Sequence, residues 1–254
     1  MTTDQSNAPA YDSIGVGYAT HRRTDERINV LVLDALGDSE RVLNVGCGAG
    51  SYEPGDRQLV GLDPSALMLA QRPPGSGPPV RGDAGALPFE DNAFDAVMAM
   101  LTVHHWPDRR RGYTELCRVA RRRVVLAYEP SVHNQLWVVA DYFPEIAALD
   151  DTRSGYGVDE VVRALGAREA LTVPVPWDCT DGFIMAYWRR PEAYLDPQVR
   201  QSTSGFSSID PRALDRGLRR LRADLESGEW ATRYGYLRDL DEFDAGLRLV
   251  VSTS

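Results

Sequence analysis

Val42-Leu43-Asn44-Val45-Gly46-Cys47-Gly48-Ala49-Gly50 runs an apolar segment straight into a glycine loop. Glycine lacks Cβ, so its backbone can approach a ligand closely and adopt positive φ. The next apolar segment, Gln58 to Leu62, ends in the acid Asp63. An acid at that place can accept hydrogen bonds from both hydroxyls of a ribose. Nicotinamide and sulfonium nucleoside sites share these two features. The spacing favours the sulfonium nucleoside: the glycines run G-x-G-x-G, and Ser51 stands where a dinucleotide loop carries its third glycine.

Outward from the loop the chain alternates short apolar runs with helical patterns. Expected strands are Arg41 to Val45, Gln58 to Leu62, Val80 to Gly82, Phe94 to Val103, Arg123 to Tyr128, Leu171 to Val175 and Gly246 to Val251. The fourth is continuously apolar, the pattern of a parallel strand buried on both faces. Expected helices begin with one capped by Thr24, its face marked by Ile28, Leu31, Val32 and Ala35 and its end by Gly37. Further helices are expected over Ala66 to Gln71, Asp108 to Val119, Asn134 to Leu149 with a kink at Pro144, and Val158 to Leu165. Such alternation predicts an α/β, Rossmann-like sheet of seven mostly parallel strands with helices on both faces. Only thirteen residues separate Val45 from Leu59, so the connection after the glycine loop leaves room for no more than a single turn.

The expected division is an N-terminal lid segment (1–23), a core (24–177 and 241–254) and a helical cap inserted between the last two strands (178–240). Within the cap, Asp181 to Asp196 is aromatic and expected to be helical, broken at Pro191. Pro211 to Ser227 is amphipathic after Asp210, a suitable N-cap.

Five pieces, in order and at this spacing, carry a family resemblance: VLNVGCGAG (42–50), GLDPS (61–65), GDAGALPFEDNAFDAV (82–97), LTVHHW (101–106) and ELCRVARR (115–122). Over about residues 41–128 the chain resembles the small-molecule, ubiquinone/menaquinone-methyltransferase-like branch of the class I S-adenosylmethionine-dependent methyltransferases. The resemblance implies S-adenosylmethionine as cofactor, S-adenosylhomocysteine as product and no metal. It places Gly46, Gly48 and Gly50 on the methionine side, Asp63 with Pro64 at the ribose, Asp83 and Ala84 at adenine, and Met100 and Leu101 beside the methionine moiety. Tyr18-Ala19-Thr20-His21-Arg22 resembles the branch's Y-x-x-x-R lid. By that likeness Arg22 pairs with the methionine carboxylate and Tyr18 covers the sulfonium.

Methyl transfer is an in-line displacement that rests on placing the nucleophile in a desolvated pocket. A general base is needed only where the acceptor carries a proton of high pKa. Candidates for catalysis are His105, His133 and Tyr18. His105 closes the fourth strand at the ligand edge, with backbone hydrogen bonding as its plainer role, and His104 is expected to face the neighbouring helix. His133 follows Glu129-Pro130 after the fifth strand; the alternative is an exposed helix end. Tyr11, His133, Trp137, Tyr187 and Trp188 are candidates for acceptor binding, against simple aromatic packing.

Composition narrows the classes. All 28 basic residues are arginine, so lysine Schiff-base chemistry is excluded. The net charge of −9 argues against a broad nucleic-acid footprint. Cys47, Cys117 and Cys179 lie far apart, without zinc spacing, and read as free thiols. The longest apolar run, Ala96 to Val103, cannot span a bilayer, and Met1 to Tyr11 lacks an apolar signal core. The expectation is a cytoplasmic monomer or homodimer acting on a small-molecule acceptor in biosynthesis, with a natural-product tailoring step as one such role. The alternatives are a non-catalytic or cyclase-type protein that binds the same cofactor, and a nicotinamide oxidoreductase.

Overall fold

The structure is a computed structural model that describes residues 22–152 and 156–253. Tyr11 and Tyr18, expected in a lid segment, lie outside the described residues.

Helix α1 (Glu26–Leu36) leads into β1 (Arg41–Val45), β2 (Gln58–Asp63), α2 (Ala66–Leu69), β3 (Pro79–Arg81) and β4 (Phe94–Met100). Then follow α3 (Arg109–Val119), β5 (Ala120–Tyr128), the single turn α4 (Pro130–His133), a π-helical turn at Val138–Tyr142, α5 (Pro144–Thr152), α6 (Val158–Leu165) and β6 (Ala170–Thr172). The last part holds β7 (Val175–Pro176), α7 (Pro197–Gln201), α8 (Ser204–Ser208), α9 (Pro211–Ser227), α10 (Glu229–Tyr234), β8 (Glu242–Phe243) and β9 (Leu247–Thr253).

Seven strands form one sheet in the order β3-β2-β1-β4-β5-β9-β6. Neighbours from β3 through β5 pair in parallel, whereas β9 runs antiparallel to both β5 and β6. This is the expected Rossmann-like α/β architecture. The chain order reverses at β1, between β2 and β4, so a crevice opens outside the carboxyl ends of these strands. Val42, Leu43 and Val45 of β1 and Ala96 through Ala99 of β4 are fully buried, as helices cover both faces.

Several boundaries differ from the sequence reading. Asp25, not Thr24, caps α1, its carboxylate accepting from Arg27 N at 3.1 Å. The Thr24 hydroxyl instead accepts from Tyr52 N. The buried face of α1 is Ile28, Val32 and Leu36, a strict four-residue step that leaves Leu31 exposed. Strand β4 stops at Met100 because Leu101 turns to φ +52, and a 3₁₀ turn covers Val103–His105. The expected helix over Asn134 to Leu149 is two pieces, since Pro144 starts α5 after a break at Phe143 rather than kinking one helix. The aromatic stretch from Asp181 forms two 3₁₀ turns, Ile184–Tyr187 and Pro191–Leu195. The expected sixth strand is divided into β6 and β7, and β7 pairs with β8 outside the main sheet.

The β7–β8 ribbon closes the base of the segment between them. Trp188 Nε1 donates to Val175 O at 3.0 Å and its ring stacks on Phe243, which ties the segment to that ribbon. Asp210 caps α9 as expected, and Ala213, Gly217 and Leu221 form its buried stripe. Gly217 lets α9 approach the π-helical turn closely: a Cβ there would stand 2.3 Å from the Phe143 ring.

The start of this segment is stitched to α1 through Asp25, which also accepts from Thr180 N at 3.0 Å and from the Arg27 guanidinium. Burial alone would raise the Asp25 carboxyl, but these hydrogen bonds and the Arg27 charge outweigh it and hold it at about 2. A depressed carboxyl stabilises the fold above its unfolded pKa and loses that contribution as pH falls through the folded value. Asp25→Asn is therefore expected to lower stability near neutral pH by about 1 kcal/mol, the partly screened Arg27 pair reducing the full linkage value. Urea unfolding at several pH values checks this: the gap to wild type should close between about pH 4 and about pH 2.

Candidate active site

A cavity of about 410 Å³ opens at the carboxyl ends of the central strands. That is within the usual range for a small-molecule or cofactor site. The glycine loop forms one wall. Gly46, Gly48 and Gly50 take φ of +71, +51 and +95, conformations that side chains resist. Gly46 N and Cys47 N both donate to Leu62 O, which fastens the loop to the end of β2. Gly46 and Gly48 line the cavity; Gly50 does not, but makes the turn away from it, with Gly50 N donating to Cys47 O.

Asp63 ends β2 at the cavity wall. One carboxylate oxygen accepts from Gly48 N at 2.9 Å and the other from Ser65 N at 2.8 Å. The acid thus fixes the glycine loop while it faces the cavity. Asp83 is held similarly, its Oδ1 accepting from Gly85 N at 2.7 Å. Pro64, Ala84, Met100, Leu101 and Arg22 also line the cavity. The structure therefore brings together every described cofactor candidate except Gly50. Leu101 holds an uncommon positive φ for a branched side chain, with its N–H donating to Leu126 O; such strain clusters at functional sites.

Sequence reasoning missed Asn44, Cys47, Met68, Thr102 and Trp106, which also line the cavity. Thr102 and Trp106 sit within LTVHHW, so the motif pointed to the place without the roles. Trp106 fits because Gly112 of α3 yields space; a Cβ there would lie 2.3 Å from its ring. The Cys47 thiol is pushed up to about 12 by burial and stays protonated, in keeping with a small spacer between glycines.

The short β1–β2 connection carries no helix, and a buried ion pair occupies its place. Arg72 Nη1 meets Glu53 Oε1 at 2.6 Å, and Asn44 Nδ2 donates to the same oxygen at 2.9 Å. Arg72 also reaches Gly77 O, so loop, β1 and the chain beyond α2 are joined beneath the cavity.

Of the catalytic candidates, His105 lines the cavity. The 3₁₀ turn presents it there, its N–H donating to Thr102 O at 2.8 Å. The His104 ring lies edge-on to Tyr128 of β5 at 4.8 Å, where the sequence reading expected the neighbouring helix. His133 is buried and is not among the residues lining this cavity; its ring lies 5.1 Å from Tyr128 and its Nδ1 is 3.1 Å from Asn134 Oδ1. Glu129 caps that turn, accepting from Ser131 N, and its other oxygen accepts from Val158 N. Trp137, Tyr187 and Trp188 are buried in an aromatic cluster outside the cavity lining, with Trp137 Nε1 donating to Trp188 O and Tyr187 packed on Tyr194. Among the described residues no group of three or more His, Cys, Asp or Glu is placed to hold a metal ion. Among them, too, no helix is long and apolar enough to cross a membrane.

The sheet has the Rossmann-like α/β fold of methyltransferases, and comparison with known proteins agrees. Residues 43–128 match the family described as "Methyltransferase domain". A solved protein of Anabaena variabilis, ascribed a methyltransferase role in an antibiotic biosynthesis pathway, is 29% identical with a TM-score of 0.84, covering 92% of this chain and 99% of that one. Demethylmenaquinone methyltransferase of Thermotoga maritima is 29% identical over 126 residues, 46% of this chain and 54% of that protein. Phthiotriol/phenolphthiotriol dimycocerosates methyltransferase 1 of Mycobacterium ulcerans is 32% identical over 139 residues, 50% of this chain and 47% of that protein. The chain thus spans about half the length of these two curated relatives.

Proposed function

We propose that the chain binds S-adenosylmethionine in this cavity and transfers its methyl group to a small-molecule acceptor. The observation that carries the reading is the convergence of bare glycine backbone, Asp63 and Asp83 on one cavity at the sheet's switch point. These residues fit the cofactor by chemistry. Gly46 and Gly48 admit an amino-acid tail where a Cβ would intrude on Thr102 or Met68. Asp63 ends β2 at the cavity as a carboxylate, the group suited to accept from ribose hydroxyls. Asp83 and Ala84 are set for the adenine edge, and Arg22 for a carboxylate.

When bound, the cofactor supplies an electrophilic methyl group on sulfur. The chain's part is to orient the acceptor against it and to exclude water. Met100, Leu101 and Trp106 give this wall of the cavity its apolar character. His105 is the group placed to take a proton from an acceptor hydroxyl or amine. In this reading residues 24–177 and 241–254 serve as the core and residues 178–240 as a cap. The similarity to a protein ascribed to antibiotic biosynthesis supports a tailoring step in natural-product assembly.

Incubation with methyl-labelled S-adenosylmethionine and a panel of phenolic, amine and polyketide acceptors tests the reading. Label transfer is expected; cofactor binding with no transfer to any acceptor would favour the non-catalytic alternative. His105→Ala is expected to lower kcat by about tenfold or more while the Kd for S-adenosylhomocysteine stays within about threefold. Equal loss of both would assign His105 to cofactor binding instead.

A further inference from the structure

Arg22 and Asp181 stand 159 positions apart and meet at the cavity wall. Arg22 Nε donates to Asp181 Oδ1 at 2.5 Å and Nη2 to Oδ2 at 3.3 Å, a side-on fork. The two residues are also joined by an antiparallel main-chain bridge. The Asp181 side chain is fully buried (0% exposed), whereas that of Arg22 retains 12% exposure and lines the cavity. A third group converges on the acid: Tyr52 Oη donates to Asp181 Oδ2 at 3.0 Å. Tyr52 belongs to the turn after the glycine loop, is buried, and holds φ +62.

A buried carboxylate is costly unless paired and hydrogen-bonded. Here its partners come from the N-terminal segment and the glycine loop, while the acid itself comes from the segment that starts the cap. A fork held at two nitrogens has one orientation, which a lone surface arginine would lack. The neighbouring contacts leave the acid little freedom: Thr180 N donates to Asp25, and Arg190 Nη2 donates to Cys179 O.

We propose that Asp181 is the positioning residue for Arg22, fixing its guanidinium at the cavity wall so that it can receive the carboxylate of the cofactor's amino-acid tail. Tyr52 is the second strut, through which the same acid steadies the glycine loop. This rests on the functional reading above, and it makes cofactor uptake depend on the cap being docked. Asp181 touches no reacting atom; its effect passes through Arg22.

Two nucleosides separate this role from a merely structural one. S-adenosylhomocysteine carries the amino-acid tail, and 5′-methylthioadenosine lacks it. Calorimetric titration of Asp181→Asn is expected to raise the Kd for S-adenosylhomocysteine by about tenfold and to leave that for 5′-methylthioadenosine within about twofold. Asp181→Glu keeps the charge but displaces the fork by a methylene, and should show the same selective loss if the asparagine variant does not fold. In the Arg22→Ala background, adding Asp181→Asn should change S-adenosylhomocysteine affinity by less than about twofold, because the residue that Asp181 positions is already gone. Unchanged S-adenosylhomocysteine affinity in both single variants, parallel loss of both nucleosides, or independent effects in the double variant would overturn the proposal alone. Wild-type protein that took neither nucleoside would overturn the functional reading with it.

Discussion

Gly46→Ala is expected to destabilise the protein by about 2–4 kcal/mol and to weaken S-adenosylhomocysteine binding by at least about 100-fold. The added Cβ would stand 2.1 Å from Thr102 Oγ1 and 2.8 Å from both Thr102 Cβ and Cγ2. No rotation of the threonine clears all three, so the backbone after β4 must move. That backbone already carries Leu101 at φ +52 and lines the cavity. The alanine would also have to hold φ +71, and Gly46 N would have to keep its bond to Leu62 O. Relief of one strain breaks another, which is why the effect should reach both stability and binding. Urea unfolding and calorimetry on the same preparation check it; a variant matching wild type in both would show that the loop is not set by this contact.

Asp63→Ala has the second large expected effect, a loss of about 100-fold in affinity for S-adenosylhomocysteine and for 5′-methylthioadenosine alike. Two causes add. The variant removes the acid proposed for the ribose, and it leaves Gly48 N and Ser65 N without their acceptor. Loss of both nucleosides together distinguishes this site from the Arg22 end of the cavity, where only the tailed nucleoside should suffer. Asp63→Asn, which keeps the size and one acceptor oxygen, should fall between the alanine variant and wild type. Near-native affinity in the alanine variant would contradict the ribose assignment.

The parts of the site that could be read from the chain are those whose meaning is local. Gly46, Gly48 and Asp63 announce themselves because a strand-to-glycine turn and a strand-end acid are short-range patterns, each contained within a few residues. Asp83 follows the same logic after β3, whereas Leu101 entered only through the family resemblance. The end of β4 was not legible: Ala96 to Val103 is apolar but for Thr102, and apolarity does not say where the backbone departs from the extended form. The departure at Leu101 creates the 3₁₀ turn that sets His105 at the cavity and turns His104 to Tyr128. In α9 the amphipathic period and the Asp210 cap are local, so both could be read. The two 3₁₀ turns between Ile184 and Leu195 have aromatic composition without a helical period. Asp181 shows the limit most clearly. As a sequence feature it is one acid among 37 acidic residues; its meaning comes from Arg22 and Tyr52, which only the fold brings to it.

The most direct test is calorimetric titration of the purified wild-type chain with S-adenosylhomocysteine and, separately, with NAD. The glycine cradle and its acid predict saturable binding of S-adenosylhomocysteine at one site per chain and no heat from NAD. Binding of NAD with no uptake of S-adenosylhomocysteine or S-adenosylmethionine would contradict the account at its centre.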